Sequence, residues 1–143
     1  MFSRKLKKRL EANYGKKPDP IYFYGDFEHI RTYYDFRKER EMDEFLVDEI
    51  TWNDLELDKV FKRINPGLST SGEQYLYYML RSPAVDSAAY HKRKSLINLM
   101  EAFPELRLKL QVILARLGRT RRADLRSAFF PSEHGIFWLI LYL

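Results

Sequence analysis

The chain has 143 residues, 45% of them hydrophobic and 31% charged, with a formal charge of +5 and a pI near 9.4. That is enough chain and apolar content for one domain with its own core, and an aromatic share of 15% argues against a disordered chain. The absence of Cys excludes disulfides and thiolate metal sites and fits a reducing cytoplasm. The mild basic balance suits an anionic neighbour, nucleic acid or lipid headgroup, without choosing between them.

Phe2, Leu6 and Leu10 fall one turn apart among basic residues, so the spacing predicts a short amphipathic helix over Phe2 to Tyr14, stopped by Gly15. Lys16 to Gly25, with two prolines, reads as a linker. Asp26 is placed to N-cap a second helix with Phe27, Ile30 and Tyr34 on one face, running into the charge cluster Arg37 to Asp43. Phe45 to Ile50 alternates weakly and is read as one short strand. Thr51 or Asn53 then caps a helix carrying Leu57, Val60, Phe61 and Ile64, and Asn65-Pro66-Gly67 ends it.

Thr70-x-x-Glu73 has the form of a capping box, opening a helix over Gly72 to Arg81 that buries Leu76, Met79 and Leu80. Pro83 closes that helix. Asp86 or Ser87 opens the next, with Tyr90, Leu96, Ile97 and Met100 inward. Pro104 starts a further helix whose stripe is the clearest in the chain: Leu106, Leu110, Ile113, Leu114 and Leu117, with Gly118 as terminator. The sum is an all-α chain of about six helices with at most one strand, near residues 45–50. Three stretches are expected: a helical extension and linker over 1–44, a helical core segment over 45–128, and an apolar stretch over 129–143. The run Ile136 to Leu143 spans about 12 Å as a helix, too short for a bilayer, and is read as the start of a membrane or buried helix, or as a docked terminal element.

No catalytic constellation stands out. His29, His91 and His134 are scattered, no carboxylate pair or Ser/His/Asp set suggests itself, and no metal ligand set is expected. The six glycines never form G-x-x-x-x-G-K-[ST], so these residues contain no P-loop to hold a triphosphate. Arg116, Arg119, Arg121, Arg122 and Arg126 form the strongest basic run; they suit DNA phosphates or anionic headgroups, or simply a solvated helix end.

Two segments carry more than periodicity. In the first, Leu46 to Leu57, Asp48 is followed by Thr51 and then by Leu55-Glu56-Leu57, with Asp54 before them. In the second, Ser69, Gly72, Leu76, Leu80, Pro83, Asp86 and Arg93 recur at fixed offsets. Both resemble the opening of the core, or lever, domain of the MutS family of DNA mismatch repair proteins, over residues 46 to 103, and the wording is similar to a divergent bacterial group of it. Asp54 stands where the family usually has Asn, and the connection from Leu57 to Gly72 is shorter than usual.

The resemblance implies a non-catalytic helical scaffold that links a DNA-facing region to an ATPase domain outside these residues. ATP and Mg would be cofactors of a full-length relative, with none bound by this chain. Double-stranded DNA, held weakly and non-specifically, would be the partner, a homodimer would form through regions not present here, and membrane contact would fall at the C-terminal stretch. The expected place is the cytoplasm, with possible attachment to the inner face of the membrane. A stand-alone basic helical adaptor or nucleic-acid-binding module remains the alternative. Within the motif, Gly72 is expected to allow close approach at a helix start, Asp86 to cap, and Arg93 to meet a carboxylate or a helix end.

Overall fold

The structure, a computed structural model, describes residues 2–40, 45–83, 86–120 and 125. The expectations for Arg121, Arg122, Arg126, His134 and the 129–143 stretch lie outside the described residues. The order is α1 (Phe2–Asn13), α2 (Asp26–Lys38), α3 (Glu49–Asp54), α4 (Leu57–Ile64), α5 (Thr70–Arg81), α6 (Ser87–Ala102) and α7 (Pro104–Leu117). Among the described residues the fold is all-α, as expected, and none of these helices is long and apolar enough to cross a membrane.

The strand expected over Phe45 to Ile50 is absent. Residues 45–48 are irregular, and Glu49 already opens α3. No second strand is present among the described residues to pair with it. The Val47 N–H instead donates to the Arg81 carbonyl at the end of α5, at 2.7 Å. Asp48 caps α3, its carboxylate accepting the Thr51 N–H at 2.7 Å, and Thr51 and Asn53, expected to cap the helix carrying Leu57, lie inside α3. α4 opens without any side-chain cap, from Glu56 in the left-handed region at φ 49°.

The main core gathers Ile30, Tyr33 and Tyr34 of α2, Trp52 of α3, Phe61 of α4, and Tyr77 and Tyr78 of α5. It draws on residues from both sides of position 44. Contacts between α2 and α5 advance together along both helices. Gln74 reaches His29 and Thr32, Tyr78 meets Tyr33, and Tyr77 and Arg81 lie against Tyr34. The two helices therefore run parallel, and residues 39–69 are the return connection. Ring pairs at 4.7 to 6.0 Å, mostly tilted or edge-on, fill the space between α2, α3, α4 and α5, the arrangement aromatic quadrupoles favour.

The buried face of α5 is not the one the leucines suggest. Thr70, Glu73, Gln74, Tyr77, Tyr78 and Arg81 are buried, while Leu76, Met79 and Leu80 are half-buried at its edge. Each buried polar group in this row has a partner, which makes the burial tolerable. Gln74 donates to the His29 carbonyl and the Thr32 hydroxyl and accepts the Leu125 N–H.

A second, smaller cluster joins α1 to α7 through Leu6, Leu10 and Val112, with Leu68, Leu108 and Ala115 against it. Here too the outcome differs from the stripe. Leu106, Leu110, Ile113, Leu114 and Leu117 are exposed, and the opposite side of α7 is the buried one. In α6, no residue is buried: Tyr90, Leu96 and Ile97, expected inward, are more than half exposed. Gly118 does end α7 as expected, at φ 67°, ψ −175°, a conformation that glycine alone adopts without strain.

Candidate functional site

The two motif segments end up as helix joints. Ser69, not Thr70, is the N-cap of α5, its hydroxyl accepting the Gly72 N–H at 3.1 Å. A Cβ on Gly72 would lie 3.0 Å from that hydroxyl oxygen, which explains a glycine here. The expected capping box does not form. The Thr70 hydroxyl donates to the Thr120 carbonyl at 2.9 Å, and the Glu73 carboxylate turns to Asn65 and Arg119. Pro83 follows the end of α5, and Asp86 caps α6 by accepting the Ala88 and Ala89 N–H groups. Arg93 of α6 donates twice to the Ser82 carbonyl, at 3.3 and 3.2 Å, so it clamps the C-terminal end of α5. Leu76, Leu80 and Leu57 pad the main core, whereas Leu55 is exposed at the end of α3.

The sequence passed over the residue that ties the first segment to the second. Arg81 is 1% exposed. Its guanidinium stands 3.9 Å from the Trp52 ring centroid, with the Tyr34 and Tyr77 rings at 4.9 and 5.4 Å. It donates to the carbonyls of Val47 and Asp48, to the Tyr77 hydroxyl and, at 2.9 Å, to the Glu49 carboxylate. Burial works against its charge, but the bonds to Tyr77 and Glu49 outweigh burial and hold its pKa above the usual arginine value. For Glu49, burial pushes the carboxyl up, and the hydrogen bond and charge of Arg81, joined by Arg31 at 3.0 Å, pull it below the ordinary carboxylate range. Burial also raises the Tyr77 hydroxyl. A planar cation with five donors between aromatic faces is a task only arginine performs.

The basic run separates into different roles. Arg119 is paired within the fold, although its side chain keeps 30% of its exposure. It donates to Glu73 at 3.0 Å, to the Ile21 carbonyl at 2.8 Å and to Asp26 at 3.2 Å, fastening the end of α7 to α5 and to the start of α2. Asp26, expected to cap α2, instead accepts from Arg119 and from the Phe23 N–H, and Gly25 occupies the cap position. Arg116 is exposed. Around Arg119 lies a cavity of about 350 Å³ lined by Phe23, Asp26, His29, Thr70, Glu73 and Arg119. Both of its carboxylates are paired with the arginine, and the His29 Nε2 in the same lining is buried without a hydrogen-bond partner. Among the described residues, no group of three His, Asp or Glu lies where it could hold a metal ion.

The exposed cations are densest on α1, where Arg4, Lys5, Lys7, Lys8 and Arg9 face water while Leu6 and Leu10 face α7. A row of this kind, backed by an apolar seam, is the described surface best suited to a line of phosphates.

Comparison with known protein families, with curated proteins and with solved structures gives no match to this chain.

Proposed function

We propose that the chain is a non-catalytic helical scaffold of MutS type, the opening part of a core domain that links a DNA-facing region to an ATPase domain outside these residues. The observation that carries this reading is the use of the Ser69-to-Arg93 pattern. Its described members cap, join or pad α5 and α6. The first segment behaves alike, with Asp48 capping α3 and the Val47 and Asp48 carbonyls held by Arg81. A part that transmits movement needs fixed joints between rigid helices, and this set of residues supplies them.

The test is the gene. The reading expects codons downstream of Leu143, in the same frame, to encode G-x-x-x-x-G-K-[ST], and the full product to hydrolyse ATP. A frame that closes without a P-loop overturns it.

A second reading, a basic helical module that binds nucleic acid by itself, is favoured by the exposed cations of α1. Duplex DNA binding by residues 1–143 would then weaken steeply with salt. Replacing Lys7 and Lys8 by Ala would lower the slope of log K against log salt by about one per lysine. A flat salt response excludes this module.

A further inference from the structure

α7 carries two apolar sides. Leu108, Val112 and Ala115 are turned to α1. Leu106, Leu110, Ile113, Leu114 and Leu117 share an arc of roughly 100° on the opposite side of the axis, at 3.6 residues per turn. They are 36 to 46% exposed, and the neighbouring α6 adds Tyr90, Leu96 and Ile97, with Phe103 just past its end, each more than half exposed. On the same helical wheel, Lys109 and Arg116 flank the leucine arc on one edge and Arg107 on the other.

Charge says what this face suits. α6 and α7 together carry six Lys and Arg against two Glu. A basic surface with an uncovered leucine arc matches an occupant that is both anionic and apolar. A DNA backbone gives leucines nothing to be buried in, and a second copy of the same face would set like charge against like charge. A bilayer rich in anionic headgroups offers both phosphate and acyl chain, at the depth where an amphipathic helix lies.

We propose that the exposed leucine arc of α7, with α6 beside it and Lys109, Arg116 and Arg107 along its edges, is a docking face for an anionic lipid surface. The inference stands apart from the scaffold reading and does not need it. The chain has no Cys, so a single introduced thiol can be labelled cleanly.

The experiment is co-sedimentation of residues 1–143 with vesicles of equal parts phosphatidylglycerol and phosphatidylcholine. Binding is expected, weaker by about tenfold or more on pure phosphatidylcholine and reduced by added salt. Leu110→Gln/Ile113→Gln/Leu117→Gln is expected to cut it by about tenfold or more with helix content unchanged. Ile113→Cys carrying an environment-sensitive dye decides the matter if the triple variant does not fold. The dye is expected to shift to the blue on phosphatidylglycerol vesicles, while the same dye on Tyr75→Cys of α5 stays unshifted. Absence of vesicle binding, binding that survives the triple substitution, or an unmoved Ile113→Cys dye overturns the proposal. So does a dimer that the triple substitution dissolves, or binding to duplex DNA with none to vesicles.

Discussion

Arg81 shares a helix face with the ring and hydroxyl of Tyr77, four residues before it, and Trp52 and the 47–48 carbonyls close over it from the preceding segment. Once closed, the site is demanding. Arg81→Met would strip donors from two carbonyls and a tyrosine and leave Glu49 with Arg31 as its remaining cation, and is expected to cost about 2–4 kcal/mol in urea unfolding. Arg81→Lys keeps the charge but loses the fork and the ring stacking, and should recover less than half of that. The Glu49 carboxyl has its folded pKa below the ordinary 4.5. Its contribution is therefore present at neutral pH and lost as pH falls through and below that value, when the proton taken up breaks its pairs with Arg81 and Arg31. Glu49→Gln should start less stable and fall less steeply between neutral pH and about pH 3, as followed by denaturant midpoints. Parallel curves for the two proteins would mean that Glu49 does not carry the acid response.

At the scale of elements, some helix ends were legible, whereas the caps expected of Asp26, of Thr51 or Asn53 and of Thr70, and most helix faces, were not. Asp86, Pro104, Gly118 and the Asn65-Pro66-Gly67 stop all act where their chemistry placed them, because capping depends on a few neighbours in sequence. Faces depend on what arrives from elsewhere. In α5, four partners for Gln74 and Glu73 come from α2, from Asn65 and from Arg119, so a polar row turns inward and the leucines are pushed to the edge. The same distance in sequence hid the role of Arg119, which looked like one member of a basic run and is a fastening between three elements. Local chemistry also yields sharp expectations. Asp86→Ala should cost about 1 kcal/mol, through the two uncapped N–H groups of α6. Gly118→Ala should cost more, about 1–3 kcal/mol, since no other residue sits easily at φ 67°, ψ −175°, and its carbonyl must stay to receive the Thr70 N–H. Thermal or urea unfolding checks both, and an Asp86→Ala loss larger than that of Gly118→Ala would contradict this ranking.

For the molecule as a whole, stability is unevenly spread. α2 and α5 share the aromatic core and the buried polar row, whereas α6 buries nothing. Native-state hydrogen exchange should therefore show the amides of α5 from Gln74 to Arg81 as the slowest, and those of α6 exchanging through local opening well before global unfolding. Uniform protection across α5 and α6 would show that the two open together. If the α6–α7 face meets a bilayer, phosphatidylglycerol vesicles should slow exchange in α6 and α7 and leave α5 unchanged.

The closeness of a guanidinium to Trp52 also gives the protein an optical reporter of its own. The indole ring lies 3.9 Å from the Arg81 cation and its N–H is held by Asp58 at 2.9 Å, so its emission is set by two fixed charges. The other tryptophan is Trp138, and a Trp138→Phe chain would leave a single fluorophore. Its colour would then change when residues 47–49 lift from α5, and would signal the loosening of that joint while the rest of the fold is still intact.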